Sequence, residues 1–334
     1  MQAHKKIAVA GATGRVGHHV VDVLEARGHD VVPISRSGGV DVITGEGLAE
    51  ALAGVEAVID AATGASPDQQ AATEFFTAAA LTLHQVGEQA GVQRIVVVSI
   101  IGTDQFTAGY GAAKQAHEQA TLSGPIPAQI LRAAQFHEFV EQLVDWGRQD
   151  GVSYVPKMRT QLVAARTVAE ALADLATAPE SAHPPGSNGT PIPEIAGPRE
   201  ESLVEMAKLL AARRGDPIRI EGVSVPADFY GDLHESGALL PGPHATLAGP
   251  TFEQWLSRET SRERASARTR TASGRRSPRS GYAKLEQPPR LEVDAFPLRP
   301  MRFDRQTVAT HGNGFGLSAV SRTSAPRQGG SITC

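Results

Sequence analysis

Apolar residues fall along the first two-thirds of the chain in two rhythms. Short, nearly continuous apolar runs rich in β-branched residues occur at 6–10, 30–34, 55–60, 94–99 and 127–132. Between them, at about 15–27, 46–53, 68–90 and 110–122, apolar positions recur every three to four residues and predict amphipathic helices. A strand that is apolar throughout, rather than alternating, has both faces covered. The alternation of such strands with helices predicts a parallel sheet with right-handed crossovers, an α/β doubly wound architecture. A further helix is predicted at 136–149, then a Pro/Gly-rich loop at 179–193. A sixth apolar run near 191–196, a helix at 201–214 and a short strand at 217–221 follow. The sequence has no internal repeat.

Composition narrows the class. The 334 residues are 41% apolar and 20% charged, as in an ordinary globular protein. The formal net charge of −4 is mild and favours neither nucleic acid nor an anionic membrane as a partner. The only cysteine is Cys334, which excludes an internal disulfide and a cysteine-built zinc site and suits a reducing, cytoplasmic location. No metal site is expected. The apolar run at the N-terminus is too short for a signal-peptide core, and no window is long enough to span a bilayer. Charge is unevenly spread: residues 258–334 carry about +9 and the rest about −13. Residues 259–334 lack apolar periodicity and read as a disordered basic tail beyond a folded region at 1–258. A solvated appendage is the plainest reading of this tail. A basic arm and an altered reading frame after Trp255 are the alternatives.

The first strand runs into Gly11-Ala12-Thr13-Gly14-Arg15-Val16-Gly17 and then a helix. The first amides of a helix have no internal partner, and the helix dipole makes that end attractive to an anion. A β-carbon at Gly11 or Gly14 would hold a diphosphate off the backbone, and Gly17 lets the helix approach the sheet. The spacing G-x-x-G-x-x-G differs from the usual dinucleotide fingerprint, but it sits in the strand–turn–helix setting which that fingerprint requires. A protein selecting NAD(H) places an acid at the end of the second strand to accept from the ribose 2′-hydroxyl. Here that place reads Ser35-Arg36-Ser37. Arg36 offers a planar fork suited to a phosphate, which predicts NADP(H) over NAD(H), and a solvent-facing loop arginine is the plain alternative.

Tyr110 and Lys114 lie one helical turn apart on a shared face. An ammonium about 5 Å from a phenol, at an effective dielectric near 20, favours the phenolate by roughly 3 kcal/mol, or about two pKa units. The pair is therefore a candidate for proton transfer. Ser99 ends the fourth strand beside the expected crevice and could donate to a substrate carbonyl or to the cofactor.

Together these residues resemble the short-chain dehydrogenase/reductase superfamily, and within it the atypical, NmrA-like branch. GATGRVG, VVVSIIGTD, YGAAK and LRAAQFHEF carry the resemblance, which covers about residues 5–256. It implies a Rossmann domain with a small C-terminal substrate lobe at about 136–165 and 190–258. It also implies that Gly11, Thr13, Gly14, Arg15, Val16 and Gly17 hold the diphosphate, Arg36 the 2′-phosphate, and that Ala61 and Ala62 pass the adenosine ribose. Tyr110 and Lys114 match the catalytic pair, with Lys114 and Ser99 also near the cofactor. The branch includes members that bind the dinucleotide as redox sensors without turnover.

Two functions follow as expectations. The first is an NAD(P)H-dependent oxidoreductase acting on a carbonyl, quinone or similar acceptor. The second is a non-catalytic NADP(H)-binding regulator with a protein partner. Gln135, Phe136 and His137 lie just past the fifth strand, where a small-molecule substrate would sit, although a helix-start histidine in an ordinary hydrogen bond is the plain alternative for His137. Phe229 and Tyr230 are candidates for a substrate wall. Adjacent His18 and His19 diverge around their helix and make a poor joint metal site. A monomer or homodimer is expected.

Overall fold

The computed structural model describes residues 4–179, 191–225 and 231–258. The readings of 259–334, of Phe229 and Tyr230, and of most of the 179–193 loop lie outside these residues.

The first half follows the apolar rhythm. It comprises β1 (Lys6–Ala10), α1 (Gly17–Ala26), β2 (Asp30–Ile34), α2 (Leu48–Ala51), β3 (Ala57–Asp60), α3 (Gln69–Ala90), β4 (Arg94–Ile100), α4 (Gly109–Leu122) and β5 (Ala128–Ala133). Helix α2 is a single turn rather than the predicted 46–53. Gly45, Gly47 and Gly54 flank it with φ of 76°, 69° and 72°, left-handed values that stop a helix in both directions.

The second half begins with α5 (His137–Trp146), β6 (Arg148–Gln149), β7 (Val152–Pro156), β8 (Arg159–Thr160) and α6 (Ala165–Thr177). It continues with β9 (Glu194–Ala196), β10 (Glu201–Ser202), α7 (Leu203–Arg214), β11 (Arg219–Val223), α8 (Gly231–Ser236) and β12 (Thr246–Leu247). The helix predicted over 136–149 ends at Trp146. The next residue, Gly147, packs so tightly that a β-carbon there would stand 2.2 Å from Tyr154 O. The chain turns instead into the β6–β7 hairpin through Asp150 and Gly151, at φ 48° and 80°.

Seven strands form one parallel sheet in the order β2-β1-β3-β4-β5-β9-β12. Helices α1 and α6 cover one face, where Val20, Val23 and Leu24 meet Val168, Leu172 and Ala173 over Ile7, Val9 and Val96. Helices α2 and α3 cover the other, with Leu48, Leu52, Ala79 and Leu83 over Ala8, Val58 and Val97. A third core joins α5, β7 and α7 to the segment after β12, through Val140, Val144, Val155, Leu203, Leu210 and Phe252. One edge strand, β2, contains Pro33, which has no N–H to donate, and the opposite edge strand, β12, is two residues long.

The chain leaves β1 outward to β2, then returns past β1 to β3. The gap between the β1 and β3 ends is thus the switch point, where open parallel sheets take their ligands.

Candidate active site

The turn after β1 is built by the backbone. Gly11 takes φ 73°, and its N–H, like that of Ala12, donates to Ile34 O, at 3.0 and 3.2 Å. Gly14 N donates to Gly11 O at 2.8 Å, and His18 N to Gly14 O at 3.2 Å. Helix α1 then starts at Gly17 with no side-chain cap. Among the described residues, the amides of Thr13, Arg15 and Val16 have no backbone acceptor. These are donors at a helix start, beside the switch point, and they suit a diphosphate.

The three glycines differ in what they exclude. A β-carbon at Gly11 would lie 2.7 Å from Ala61 O and from Ala62 Cα, and one at Gly17 would lie 2.0 Å from Gly11 O. Both are therefore needed for internal packing. At Gly11 the demand is packing against the residues after β3, and at Gly17 it is the close approach of α1 to the end of β1. Only Gly14 has an open side: its β-carbon would meet nothing closer than Gly11 O at 3.1 Å. Val16 points inward to the sheet core, whereas Thr13 and Arg15 are exposed. The Arg15 guanidinium donates to Gln142 Oε1 at 2.7 Å and so ties the turn to α5. An open cavity of about 340 Å³ between Arg15 and α5 also holds Glu138, Glu141 and Asp145, a lining that repels a diphosphate.

Arg36 opens a short 3-10 turn at the end of β2 and is exposed. Its guanidinium makes no hydrogen bond or ion pair among the described residues. The neighbouring Ser35 Oγ accepts from Gly38 N at 3.2 Å, so that hydroxyl serves the turn itself. Ala61 and Ala62 follow β3, with Ala61 N bonded to Ala10 O at 3.0 Å and Ala62 N to Asp60 Oδ1 at 2.9 Å.

Tyr110 and Lys114 share helix α4, as predicted, but their polar atoms go different ways. Tyr110 Oη meets Thr63 Oγ1 at 3.3 Å. Lys114 Nζ donates to Val98 O at 2.9 Å and to His117 Nδ1 at 3.0 Å, over the face of Phe76. Burial raises the Tyr110 pKa, only partly offset by the Thr63 bond. The expected downward shift by Lys114 does not occur, because that ammonium is held inside the core. Burial also lowers Lys114 to about 8, against the pull of Asp60 and Glu118.

His117 Nε2 lies 3.1 Å from Asp60 Oδ2. Burial alone would push the Asp60 carboxyl up, but His117, the Ala62 amide and Lys114 together hold it below its ordinary value. Burial, then the nearby Lys114 charge, lower His117 and keep its ring neutral. Asp60 and His117 are absent from the residues that sequence reasoning singles out. The available signals were a carboxylate closing an otherwise apolar strand, which requires a buried partner, and a histidine one turn past Lys114.

Ser99 is 2% exposed and its Oγ has no partner among the described residues. Its hydroxyl therefore does not line an open crevice, contrary to the expectation. His137 is likewise fully buried: Nε2 bonds Pro250 O at 3.1 Å, and Phe252 and Trp255 pack on its ring. It locks the segment after β12 to α5 rather than facing a substrate. Gln135 Oε1 accepts from Thr160 Oγ1 at 2.5 Å, and Phe136 pairs with Val163. Both are partly exposed.

Residues 7–182 match the model of the NAD dependent epimerase/dehydratase family. Three solved structures share the fold. A short-chain dehydrogenase/reductase superfamily protein from Agrobacterium tumefaciens with bound NAD is 18% identical, with TM-score 0.55, over 79% of this chain and 99% of that one. A nucleoside-diphosphate-sugar epimerase from Pseudomonas aeruginosa is 18% identical, with TM-score 0.56, over 79% and 99%. UDP-N-acetylglucosamine 4-epimerase from Bacillus cereus is 16% identical, with TM-score 0.54, over 78% and 96%. No curated protein sequence matches the chain.

Proposed function

Because the chain belongs to the NAD dependent epimerase/dehydratase family, we propose that it is an NADP(H)-preferring oxidoreductase acting on a carbonyl, quinone or similar acceptor. The observation that carries this reading is the open turn with its unpaired amides, flanked by the free guanidinium of Arg36. The amides of Thr13, Arg15 and Val16 would hold the diphosphate, with Gly14 leaving room for it. Arg36 would hold the 2′-phosphate, and Ala61 and Ala62 would flank the adenosine ribose. When bound, the nicotinamide supplies a hydride carrier.

Tyr110 supplies the proton. Its raised pKa keeps Oη protonated near neutrality, and the Thr63 hydroxyl orients it. A protonated phenol is a donor, which suits reduction, where a substrate oxygen gains charge and needs a proton. Lys114 is the group that would bind the nicotinamide ribose. Gln135 and Phe136 would border the substrate. Neither Ser99 nor His137 has a part in this scheme.

Calorimetry with NADPH and NADH tests the cofactor reading. Arg36→Ala should weaken NADPH roughly tenfold or more and leave NADH unchanged, the effect of losing one charged hydrogen-bonding partner. An unchanged ratio would remove the NADP(H) preference. Binding of neither dinucleotide at millimolar concentration would remove the whole reading. Turnover is read from NADPH absorbance against aldehydes, quinones and nucleoside-diphosphate sugars, and Tyr110→Phe should abolish it.

A second reading is a dinucleotide-binding redox sensor of the NmrA-like type. It is favoured by the commitment of the Lys114 amine to Val98 and His117. Tight NADPH binding without turnover on any acceptor would select it.

A further inference from the structure

The buried titratable groups that the proposed chemistry leaves unused gather around Lys114. Its ammonium has three N–H bonds, and the core offers three acceptors: Val98 O at 2.9 Å, His117 Nδ1 at 3.0 Å and the Phe76 ring at 4.4 Å. His117 stacks on the same ring at 4.6 Å and 13°, which fixes its plane. Because Nδ1 accepts from Lys114, the imidazole proton sits on Nε2 and is donated to Asp60 Oδ2 at 3.1 Å. The other Asp60 oxygen accepts from Ala62 N at 2.9 Å.

A carboxylate, a neutral imidazole and an ammonium thus form one charge-balanced chain from β3 through α4 to β4. Asp60, His117 and Lys114 are 2%, 1% and 6% exposed. Around Lys114 the charged or titratable groups are Asp60 from β3 and His117 and Glu118 from α4. Helix α3 presents Phe76, and β4 presents the Val98 carbonyl.

We propose that Asp60 and His117 are positioning residues that hold Lys114 parked in the core, so that it reaches Tyr110 and a cofactor ribose only after leaving them. This rests on the roles given above to Lys114 and Tyr110. Three features support it. Every Lys114 donor is satisfied away from Tyr110. The stack on Phe76 orients the accepting nitrogen. The Asp60 end is anchored to the Ala62 amide, beside the Gly11 contact, so the chain touches the same strand end that would flank the adenosine ribose.

The test is the ionisation of Tyr110 in the full chain without cofactor, read from tyrosinate absorbance as the difference from Tyr110→Phe, since the chain has 4 tyrosines. Lys114→Met alone should leave the Tyr110 midpoint where it is. Asp60→Asn with His117→Phe, which keeps the stack but removes the acceptor, should lower the midpoint by about one pH unit or more, as a freed ammonium nears the phenol. Adding Lys114→Met to that pair should cancel the drop. His117→Gln, with an amide that both accepts and donates, should behave like the native chain.

A Tyr110 midpoint that rises in Lys114→Met alone shows that Lys114 already acts on Tyr110 and overturns the proposal. A folded Asp60/His117 variant with an unmoved midpoint overturns it too. If that variant does not fold, as judged by circular dichroism, the Lys114→Met measurement still decides. Calorimetry with NADP(H) on the native chain judges the cofactor reading separately, and the tyrosine titration stands whichever way that goes.

Discussion

The two flanks of the switch point are prepared differently. On the β1–β2 flank, polar groups are left over: the amides of Thr13, Arg15 and Val16 and the guanidinium of Arg36 find no partner in the described chain. On the β4–β5 flank, most polar groups are matched internally. Lys114 is held by Val98 and His117, Arg132 grips Glu118 through two bonds at 3.0 and 2.8 Å and Asp104 at 3.0 Å, and His137 is clamped by Pro250. A flank with unmatched donors is ready for an anion without rearrangement. A flank whose charges are already neutralised contributes rigidity, and it must break contacts before its groups can do chemistry. Ligand should therefore act mainly on the first flank, and substitution or acid mainly on the second.

The largest effect should come from Arg132→Met. Glu118 is 5% exposed and would be left as a buried carboxylate without its bidentate partner. Breaking one side of such a pair costs about 3–5 kcal/mol. Urea unfolding measures this, and a loss below about 1 kcal/mol, the level of an exposed ion pair, would mean that the flank is far less closed than its geometry indicates.

Acid should loosen the same flank. Burial lowers His137 to about 4, from 6.5 for a free histidine. Between those values the unfolded chain binds the proton and the folded chain does not. The stability that His137 contributes is thus intact above pH 6.5 and is lost as pH falls through about 4, by about 3 kcal/mol in all. Unfolding free energies at neutral pH and at pH 4 should differ less in His137→Phe than in the native chain. Equal slopes would remove His137 from the acid response.

The glycine turn separates packing from binding. Gly17→Ala places a β-carbon against Gly11 O and should cost about 1–3 kcal/mol of stability, as overpacking does. Gly14→Ala should cost about 1 kcal/mol or less and instead weaken dinucleotide binding. Thermal unfolding and calorimetry on the two variants give the comparison, and equal destabilisation of both would merge the two roles. The smallest effect on folding belongs to Arg36→Ala, within about 0.5 kcal/mol, as for an exposed side chain with no partner. A larger loss by urea unfolding would show that Arg36 supports the turn.

The first five strands were legible because buried strands leave nearly continuous apolar runs, as β1, β3, β4 and β5 do, and even the half-exposed edge strand β2 reads Val31-Val32-Pro33-Ile34. Helix α6 was not, although it is among the most buried helices. Its inward face is mostly alanine, with Val168 and Leu172 as its larger apolar residues, so although its two faces differ clearly it lacks the bulky apolar positions that mark a core helix. The glycine turn was legible because its shape depends on backbone alone. The spacing of Tyr110 and Lys114 was legible for the same reason, since a helix fixes it. The direction taken by Lys114 was not, because its competing partners come from β3, β4 and a histidine whose importance exists only once those strands are adjacent. Ser99 and His137 show the same limit. Their places at strand and helix ends could be read, but the packing that closes over them comes from distant segments.

Pro33 and the two-residue β12 have a further consequence. A sheet invites foreign strands at its margins, where backbone donors and acceptors stand in rows. At one margin Pro33 interrupts the row, and at the other the row is only two residues long. Neither offers a template for another polypeptide to zip onto, so the largest sheet in the molecule is guarded against growth into aggregates at both sides.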